Sequence, residues 1–388
     1  MMRLFAMIQK HIYITIKGTL RCNLACQYCY GRDNKHLGGQ MTAEEMHMAL
    51  LFCRDYVKES GAKALTLCWH GGEPLLMYSQ LPSLMKEANK MFAEIGVQVT
   101  HGMQTNAISL IPETFDMIKT YLNGHIGVSL DLFSRYRTFP DGSPSTQIAI
   151  NNIDRALNAG ISCGAINLIT QDNRKHIPDI YTFYKQRNMN VRLARVFPIR
   201  DEDICSNPMY LSDEEFAYAM IEYFNIWVAD PKPAYNRDIV SLVGDLMLGK
   251  PSLCFREKEC HNRYLALSPG GDVFTCAEFD VPESVVGNFL TQSAKEFIQS
   301  DLRDKLSHKA PIPEKCYECK YEKICSGGCF RERFMLGYPY RCKSNYLYWN
   351  HIEDWLKSKG SHLYILEGKS AEEGKSILHR VFGKDRLV

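Results

Sequence analysis

Six short apolar runs alternate with longer amphipathic segments over the first 200 residues of the chain. Runs of this length predict strands, and the segments between them have the hydrophobic spacing of helices. Strands that alternate with helices predict a parallel sheet with right-handed crossovers. We therefore expect an α/β fold that forms a partial (β/α)6 barrel, with its chemistry at the C-terminal ends of the strands. The predicted strands cover residues 11–16, 64–70, 97–105, 125–131, 161–170 and 191–197.

Capping signals place the helices. Thr42 with Glu45 three residues later forms a capping box and predicts a helix start. Ser212 with Glu215 predicts a second such start, and another helix is expected over residues 236–248. The sequence thus predicts a partial barrel over residues 1–200, a helical connector over 201–250, a small irregular cysteine-rich domain over 251–345, and a C-terminal helix and tail over 346–388.

Composition excludes several classes of protein. The net charge of +2 gives no basic face of the kind that nucleic-acid binding needs. We therefore expect no nucleic-acid partner. No run of eighteen apolar residues is present, so no membrane span is expected. The first sixteen residues are interrupted by charges and predict the lead-in to a strand rather than a signal peptide. We expect a cytoplasmic protein. Its chain has fifteen cysteines, and the clustered ones are expected to be metal ligands rather than disulfides.

Three cysteines follow the first predicted strand closely. Cys22, Cys26 and Cys29 have the spacing C-x3-C-x2-C, which lets three thiolates bind one metal ion or one small metal cluster. An ordinary [4Fe–4S] cluster takes four cysteines, so three ligands would leave one iron open. Zinc is the alternative, but it normally needs a fourth ligand, and no histidine lies within five residues of this set.

With this motif the chain resembles a radical S-adenosylmethionine (AdoMet) enzyme over its first 200 residues or so. The resemblance implies that the open iron binds AdoMet and that AdoMet is cleaved to a 5′-deoxyadenosyl radical. Tyr28 matches the aromatic residue near the adenine of AdoMet. Gly71, Gly72 and Glu73 match the GGEP motif, whose backbone and glutamate receive the methionyl ammonium.

Further strand ends match AdoMet contacts in this family. Gln104 and Asn106 lie at the end of the third strand, and Ser129 lies at the end of the fourth, where the family binds the AdoMet carboxylate. Leu193 in the sixth strand matches an apolar contact to the adenine, although a core leucine would fit the same pattern.

Eight cysteines lie between residues 251 and 345, where the chain resembles the SPASM domain of peptide-modifying radical AdoMet enzymes. The resemblance implies two auxiliary [4Fe–4S] clusters, three clusters in all, with the auxiliary ones serving in electron transfer. The ligand sets carried over are Cys254, Cys260, Cys276 and Cys329 for the first auxiliary cluster, and Cys316, Cys319, Cys325 and Cys342 for the second.

Two zinc ions with four thiolates each would suit the spacing of these eight cysteines equally well. Four cysteines remain outside the predicted ligand sets. Cys53, Cys68 and Cys163 fit core positions, and Cys205 falls in a loop.

The resemblance implies oxidation of a substrate carbon, which also needs a base. Anaerobic sulfatase-maturating enzymes place an aspartate directly after the cysteine that matches Cys276, whereas this chain has Ala277. We predict that Glu278 or Asp280 is the catalytic base. If the segment is extended, both side chains point to the same face.

The leading functional hypothesis is a peptide or protein modifier that forms a crosslink or a related product. The alternatives are radical oxidation or epimerisation of a small molecule, such as a sugar or antibiotic precursor, and formylglycine formation on a sulfatase. A zinc or iron–sulfur scaffold without catalysis is also open. A one-electron reductant of the flavodoxin or ferredoxin type is the expected partner. With 21 residues before Cys22, we expect no leader-binding domain ahead of it.

Overall fold

The computed structural model describes residues 11–31, 39–198 and 207–361, with residues 372, 373 and 376. Cys205 and the C-terminal tail predicted beyond residue 361 lie outside the described residues, apart from those three. Among the described residues the strands are β1 (His11–Thr19), β2 (Ala64–Gly71), β3 (Gln98–Thr105), β4 (His125–Ser129), β5 (Ser162–Ile169), β6 (Asn190–Arg195), β7 (Tyr264–Leu267), β8 (Asp272–Phe274) and β9 (Val285–Asn288).

Helices connect these strands. They are α1 (Ala43–Glu59), α2 (Leu81–Ala93), α3 (Phe115–Tyr121), α4 (Thr146–Asn158), α5 (Ile177–Gln186), α6 (Asp213–Ala229), α7 (Arg237–Leu248), α8 (Cys260–Arg263), α9 (Ala294–Gln299), α10 (Leu302–His308), α11 (Glu322–Cys325), α12 (Phe330–Leu336) and α13 (Cys342–Ser358). The chain divides into two compact units. Unit 1 comprises Met1–Leu130, Arg135–Gly164 and Glu259–Lys309, and unit 2 comprises Asp131–Ser134, Ala165–Lys258 and Ala310–Val388.

The sheet in unit 1 has the strand order β4-β3-β2-β1-β7-β8-β9. The pairs β1–β2, β2–β3, β3–β4 and β1–β7 are parallel, and β8 turns back antiparallel to β7. β5 begins in unit 1 and continues into unit 2, where β6 follows it in the order of strands. The described sheet does not close on itself, so the predicted α/β fold with a partial barrel is confirmed.

Side-chain alternation explains how β1 sits in this sheet. Ile12, Ile14 and Ile16 are at most 2% exposed, whereas Tyr13 and Thr15 between them are half-buried. Because side chains alternate between the two faces of a strand, the isoleucines cover one face with apolar groups. Burying each such side chain stabilises the fold by about 1.5–3 kcal/mol. β2 repeats the pattern with Leu65, Leu67 and Trp69.

Both predicted capping boxes are confirmed. In unit 1, the Thr42 hydroxyl accepts from the Glu45 amide, and the Glu45 carboxylate accepts from the Thr42 amide at 2.7 Å. In unit 2, Ser212 and Glu215 make the same pair of bonds at the start of α6. Aromatic contacts then anchor each helix inside its own unit. Phe52 of α1 lies 5.4 Å from the Phe297 ring and Phe224 of α6 lies 5.4 Å from the Trp355 ring.

The segment after Cys276 differs from the extended form considered above. The Phe279 amide donates to the Cys276 carbonyl oxygen at 3.3 Å, so residues 277 and 278 form a turn. The strict alternation that would place Glu278 and Asp280 on one face therefore does not apply. The reason is local, because β8 ends at Phe274 and the chain has to reverse before β9.

The capping box at α1 gives a test of the local structure. Replacing Thr42 with Ala removes the acceptor for the Glu45 amide, and we expect the free energy of unfolding to fall by about 1 kcal/mol. Thr42→Ser keeps the hydroxyl and should stay close to the parent in chemical denaturation. Equal losses from both substitutions would show that the hydroxyl does not cap this helix.

Candidate active site

The loop that carries Cys22, Cys26 and Cys29 starts directly after β1 and is held by backbone hydrogen bonds. The Gly72 amide donates to the Thr19 carbonyl at 2.8 Å, and the Glu73 amide donates to the Arg21 carbonyl at 2.9 Å. On another side, the amides of residues 25 and 27 donate to the carbonyls of residues 138 and 136. The three cysteines are thus presented by a loop fixed on two sides.

The Gly71–Gly72 pair is required by close packing against this loop. Gly71 has a φ of 126°, a backbone conformation that residues with a Cβ rarely adopt. A Cβ on Gly72 would lie 2.5 Å from the Leu20 carbonyl oxygen and closer still to that of Arg21. The two glycines therefore let the end of β2 run directly alongside the cysteine loop.

Glu73 is fully buried, and its carboxylate accepts hydrogen bonds from other residues of the protein. Oε1 accepts from the Thr105 hydroxyl at 2.7 Å and from the Leu75 amide at 3.0 Å, while Oε2 accepts from the Asn106 amide at 2.7 Å. Burial raises the pKa of Glu73, and these hydrogen bonds together with the charge of Arg137 oppose that rise. Glu73 therefore joins the end of β2 to the end of β3, and its predicted contact with the methionyl ammonium stays a prediction.

The Cys22 sulfur accepts two hydrogen bonds of the kind that stabilise a thiolate ligand. The Leu24 amide donates to it at 3.4 Å, and Asn106 Nδ2 donates at 3.6 Å. Asn106 Nδ2 also donates to Asn23 Oδ1 at 2.7 Å. A thiolate is the form in which cysteine binds iron. The surroundings of Cys22 therefore fit an iron–sulfur cluster held by this loop.

Two of the predicted AdoMet contacts lie side by side at the ends of β3 and β4. Gln104 Nε2 donates to the Ser129 hydroxyl at 2.9 Å. A Cβ on Gly127 would meet the Gln104 side chain, so the glycine leaves room for it. Gln104 and Ser129 are both half-buried. The structure thus brings these two predicted residues together, and their contacts with AdoMet remain predictions.

Arg137 is a site residue that the sequence patterns missed. Its Nη1 donates to the Tyr28 hydroxyl at 3.2 Å, and its charge lowers the pKa of Glu73. Arg137 is 5% exposed. It therefore places a buried positive charge near two predicted AdoMet-binding residues. No sequence signal marks it, because it lies in the irregular segment before α4.

Leu193 lies in unit 2, and its predicted contact with the adenine stays a prediction. It is 7% exposed and alternates along β6 with half-buried residues. Arg195, on the same face of β6, donates to the Leu211 carbonyl at 2.5 Å and pairs with Asp213 of α6.

Lys17, His70 and two carboxylates of unit 1 influence one another electrostatically near the C-terminal ends of β1 and β2. Lys17 Nζ lies 2.6 Å from Asp280 Oδ2, with side-chain exposures of 2% and 8%. Burial and the Lys17 charge lower the pKa of His70 to about 4, while Glu278 and Asp280 oppose that shift. Glu278 is exposed. Of the two predicted bases, Asp280 is thus held in a buried ion pair and Glu278 is reachable from solvent.

The second auxiliary set comes together within unit 2. Burial raises the pKa of Cys325 to about 12, and the neighbouring thiols of Cys342, Cys316 and Cys319 raise it as well. Cys325 ends the short helix α11, and Cys342 begins α13. The four sulfurs therefore lie close enough to influence one another.

The first auxiliary set is distributed over both units. Cys260 and Cys276 belong to unit 1, and Cys254 and Cys329 belong to unit 2, so their grouping stays a prediction. Among the other cysteines, Cys53 and Cys163 are buried and Cys68 is half-buried. Burial raises the pKa of the Cys68 thiol to about 11.

The spacing of the sulfurs bears on the choice between zinc and iron. Within the described residues, no group of three or more His, Cys, Asp or Glu side chains is close enough to hold a single metal ion. Four sulfurs around one zinc lie about 3.8 Å apart if each Zn–S bond is about 2.3 Å. A cube of four irons and four sulfides is larger, so its thiolates stand further apart. The assignment of the second auxiliary set to a cluster rather than to zinc stays a prediction.

Comparison with known proteins identifies the class. The Radical SAM superfamily matches residues 16–184, and the SPASM iron–sulfur cluster-binding domain matches residues 254–320. The chain is therefore a radical AdoMet enzyme with a SPASM domain. Its cofactors are AdoMet and [4Fe–4S] clusters. The SPASM domain holds [4Fe–4S] clusters in addition to that of the radical AdoMet domain. The predictions of class, enzyme and cofactors are confirmed.

Among relatives of this class, the chain is similar to anaerobic sulfatase-maturating enzymes. The serine-type enzyme of Bacteroides thetaiotaomicron is 24% identical over 386 residues, which cover 91% of this chain and 92% of that protein. The cysteine-type enzyme of Clostridium perfringens is 21% identical over 343 residues, which cover 80% and 86%.

Solved structures share the fold. Native anSMEcpe with bound AdoMet and Cp18Cys peptide matches with a TM-score of 0.75 at 18% identity, over 88% of this chain and 96% of that chain. Streptococcus suis SuiB bound to its precursor peptide SuiA matches with a TM-score of 0.60 at 15% identity, over 85% and 74%. In the described part of this chain, no helix has the length and apolar character needed to cross a membrane.

Removing the close approach at Gly72 tests how the cysteine loop is held. Gly72→Ala would push the Leu20–Arg21 backbone away, and we expect the reconstituted protein to lose about four irons, those of the N-terminal cluster. Gly244→Ala is the matched control, because nothing lies within 4 Å of its added Cβ. Full iron loading of Gly72→Ala, measured by iron and sulfide analysis, would contradict this view of the loop.

The second cysteine set predicts a change in metal content. Anaerobic reconstitution should load about twelve irons per chain, and Cys325→Ala should reduce this to about eight. Cys68→Ala should load as the parent does, since Cys68 belongs to no predicted set. Stoichiometric zinc, or an unchanged iron content in Cys325→Ala, would overturn the assignment of the second set.

Proposed function

We propose that this enzyme oxidises a serine or cysteine side chain within a peptide or protein substrate. The observation that carries the proposal is the turn after Cys276, which leaves the Glu278 carboxylate exposed beside His70. The similarity to serine-type and cysteine-type sulfatase-maturating enzymes over most of the chain supports it. Among the hypotheses drawn from the sequence, this choice favours formylglycine-type oxidation over crosslinking.

The reaction removes three species from the substrate side chain. Converting a serine CH₂–OH group to an aldehyde takes away one hydrogen atom, one electron and one proton. The cluster and AdoMet, when bound, supply the radical that takes the hydrogen atom. The electron would pass to an auxiliary cluster and then leave the enzyme. The proton needs a base within hydrogen-bond reach of the substrate.

Glu278 is the residue that we assign to the proton. Ala277 cannot act as a base, and the Asp280 carboxylate is engaged by Lys17 at 2.6 Å. Glu278 is exposed and faces His70 from the segment that follows Cys276. A carboxylate displaced by one position along a turn could thus serve where relatives have an aspartate. The remaining partner, a flavodoxin or ferredoxin type of reductant, would supply the electron that activates the N-terminal cluster.

The assignment of Glu278 can be tested by separating cleavage from product formation. Glu278→Gln should still form 5′-deoxyadenosine in the presence of a peptide that carries a sulfatase serine or cysteine with its flanking residues. We expect the rate of peptide oxidation to fall by about 10²-fold or more, the usual loss when a general base is removed. Mass spectrometry of the peptide and chromatography of 5′-deoxyadenosine measure the two rates.

Two further variants control this experiment. Glu283→Gln changes an exposed carboxylate of the same segment and should keep the parent rate. Asp280→Asn leaves Lys17 buried without its carboxylate, and we expect the free energy of unfolding to fall by ~3–5 kcal/mol. If Glu278→Gln oxidises the peptide at the parent rate, Glu278 is not the base. If the wild-type protein oxidises neither the serine-containing nor the cysteine-containing peptide, the proposed substrate is wrong.

A further inference from the structure

The turn over residues 326–328, between Cys325 and Cys329, consists of three residues in the left-handed backbone region. Ser326 has a φ of 47°, Gly327 of 79° and Gly328 of 76°. The Gly328 amide donates to the Cys325 carbonyl at 2.8 Å, which closes the turn. Serine has a Cβ and rarely adopts this region, so the turn has a conformational cost that its surroundings have to offset. The 326–328 turn thus joins a cysteine of the second predicted auxiliary set to a cysteine of the first.

Arg333 donates hydrogen bonds to this turn from the helix that follows it. It lies one turn into α12, where its backbone amide donates to the Cys329 carbonyl at 3.2 Å. Its Nη1 donates to the Gly327 carbonyl at 3.0 Å and to the Gly328 carbonyl at 2.5 Å, and its Nε donates to the Ala310 carbonyl at 3.1 Å. The side chain is buried, and a guanidinium presents its donors in fixed directions. One side chain therefore connects the 326–328 turn to α12 and to the segment that precedes the second set.

Side chains pack closely against both glycines of the turn. A Cβ on Gly327 would lie 2.6 Å from Ile312 Cγ2, and a Cβ on Gly328 would lie 2.9 Å from Pro339 Cβ. These contacts, like the hydrogen bonds to the turn, lie within unit 2. The turn therefore has little room to take another shape, and the directions in which the two cysteines leave it are set by these contacts.

The Arg333 guanidinium also lies within electrostatic reach of another cysteine of the second set. Burial raises the pKa of Cys316 and Cys319 raises it further, while the charges of Lys315 and Arg333 oppose the rise. Cysteine binds iron as a thiolate, a form that a nearby positive charge favours. Arg333 thus combines directed donors and a buried positive charge in one place, and both suit a region that binds a cluster.

We propose that Arg333 is a positioning residue for one cysteine of each predicted auxiliary set, because it holds the 326–328 turn in the shape that presents Cys325 and Cys329 as ligands. The inference takes the two sets to hold [4Fe–4S] clusters. It makes no use of the substrate, so it is tested independently of the proposed oxidation of a serine or cysteine.

The iron content of the reconstituted enzyme tests this role. Arg333→Met removes the donors to the turn, and we expect the iron content to fall by about four or more from the value of about twelve expected for the parent. Arg333→Lys keeps a donor and the charge but not the planar guanidinium, so it should lose less iron than Arg333→Met. Iron and sulfide analysis measures the loss. In electron paramagnetic resonance of the reduced protein, the signal that changes on addition of AdoMet should remain, because it belongs to the N-terminal cluster.

Arg303 supplies the matched control for a general loss of stability. It is 8% exposed, and its Nη1 donates to the Tyr56 hydroxyl at 3.2 Å. Arg303→Met makes the same substitution at another buried arginine and should keep the iron content of the parent. Full iron loading of Arg333→Met, or an equal loss of iron in Arg303→Met, would overturn the inference.

The action of Arg333 through the turn has a separate readout. Glycine adopts the left-handed region more readily than serine, so Ser326→Gly lowers the conformational cost of the turn. Combined with Arg333→Met or Arg333→Lys, we expect Ser326→Gly to restore part of the iron that the arginine variant loses. In the parent, whose turn Arg333 already holds, the same substitution should change the iron content little.

The lysine variants decide the question if Arg333→Met does not fold. If Ser326→Gly restores no iron in either arginine variant, Arg333 does not act through the turn. If the parent itself binds only about four irons, the two predicted sets and this inference are wrong together, and the substrate of the proposed function is not affected by that result.

Discussion

The hydrogen bonds that join the Gly72–Glu73 backbone to residues 19–21 are the interaction on which the candidate site depends. They bring the end of β2 alongside the loop that carries the first three cysteines, and only residues without a Cβ permit that approach. The Glu73 carboxylate then extends the connection to Thr105 and Asn106 at the end of β3. Three strand ends and the cysteine loop are in this way parts of one hydrogen-bonded assembly. The motif predicted to bind AdoMet therefore has a structural role of its own.

Local patterns were sufficient to predict most of the fold. The six strands of the N-terminal segment and both capping boxes depend on neighbouring residues, and their signals lie within a few positions of each other. The order in which β7–β9 join the sheet beside β1 was not predicted. Strand pairing across such a separation depends on tertiary packing, which short-range periodicity does not report.

The site was predicted less completely, for the same physical reason. The cysteines and the glycine pair belong to compact motifs, and sequence spacing is enough to find them. The Lys17–Asp280 ion pair joins residues 263 positions apart, and Arg137 reaches Tyr28 from an irregular segment. Asp280 and Glu278 looked equivalent in the sequence because both are carboxylates near Cys276. Their burial and their partners separate them, and these are properties of the folded chain alone.

The position of β7 next to β1 has a consequence for how the protein is made. Tyr13 pairs with Tyr264, so one edge of the first strand has no partner until most of the chain has left the ribosome. At ~5–20 residues per second, the interval is roughly ten to fifty seconds. An open strand edge is a template for pairing with other chains. During that interval the newly synthesised N-terminal segment is exposed to pairing with other chains, and the cysteine loop that follows β1 is made before its sheet is complete.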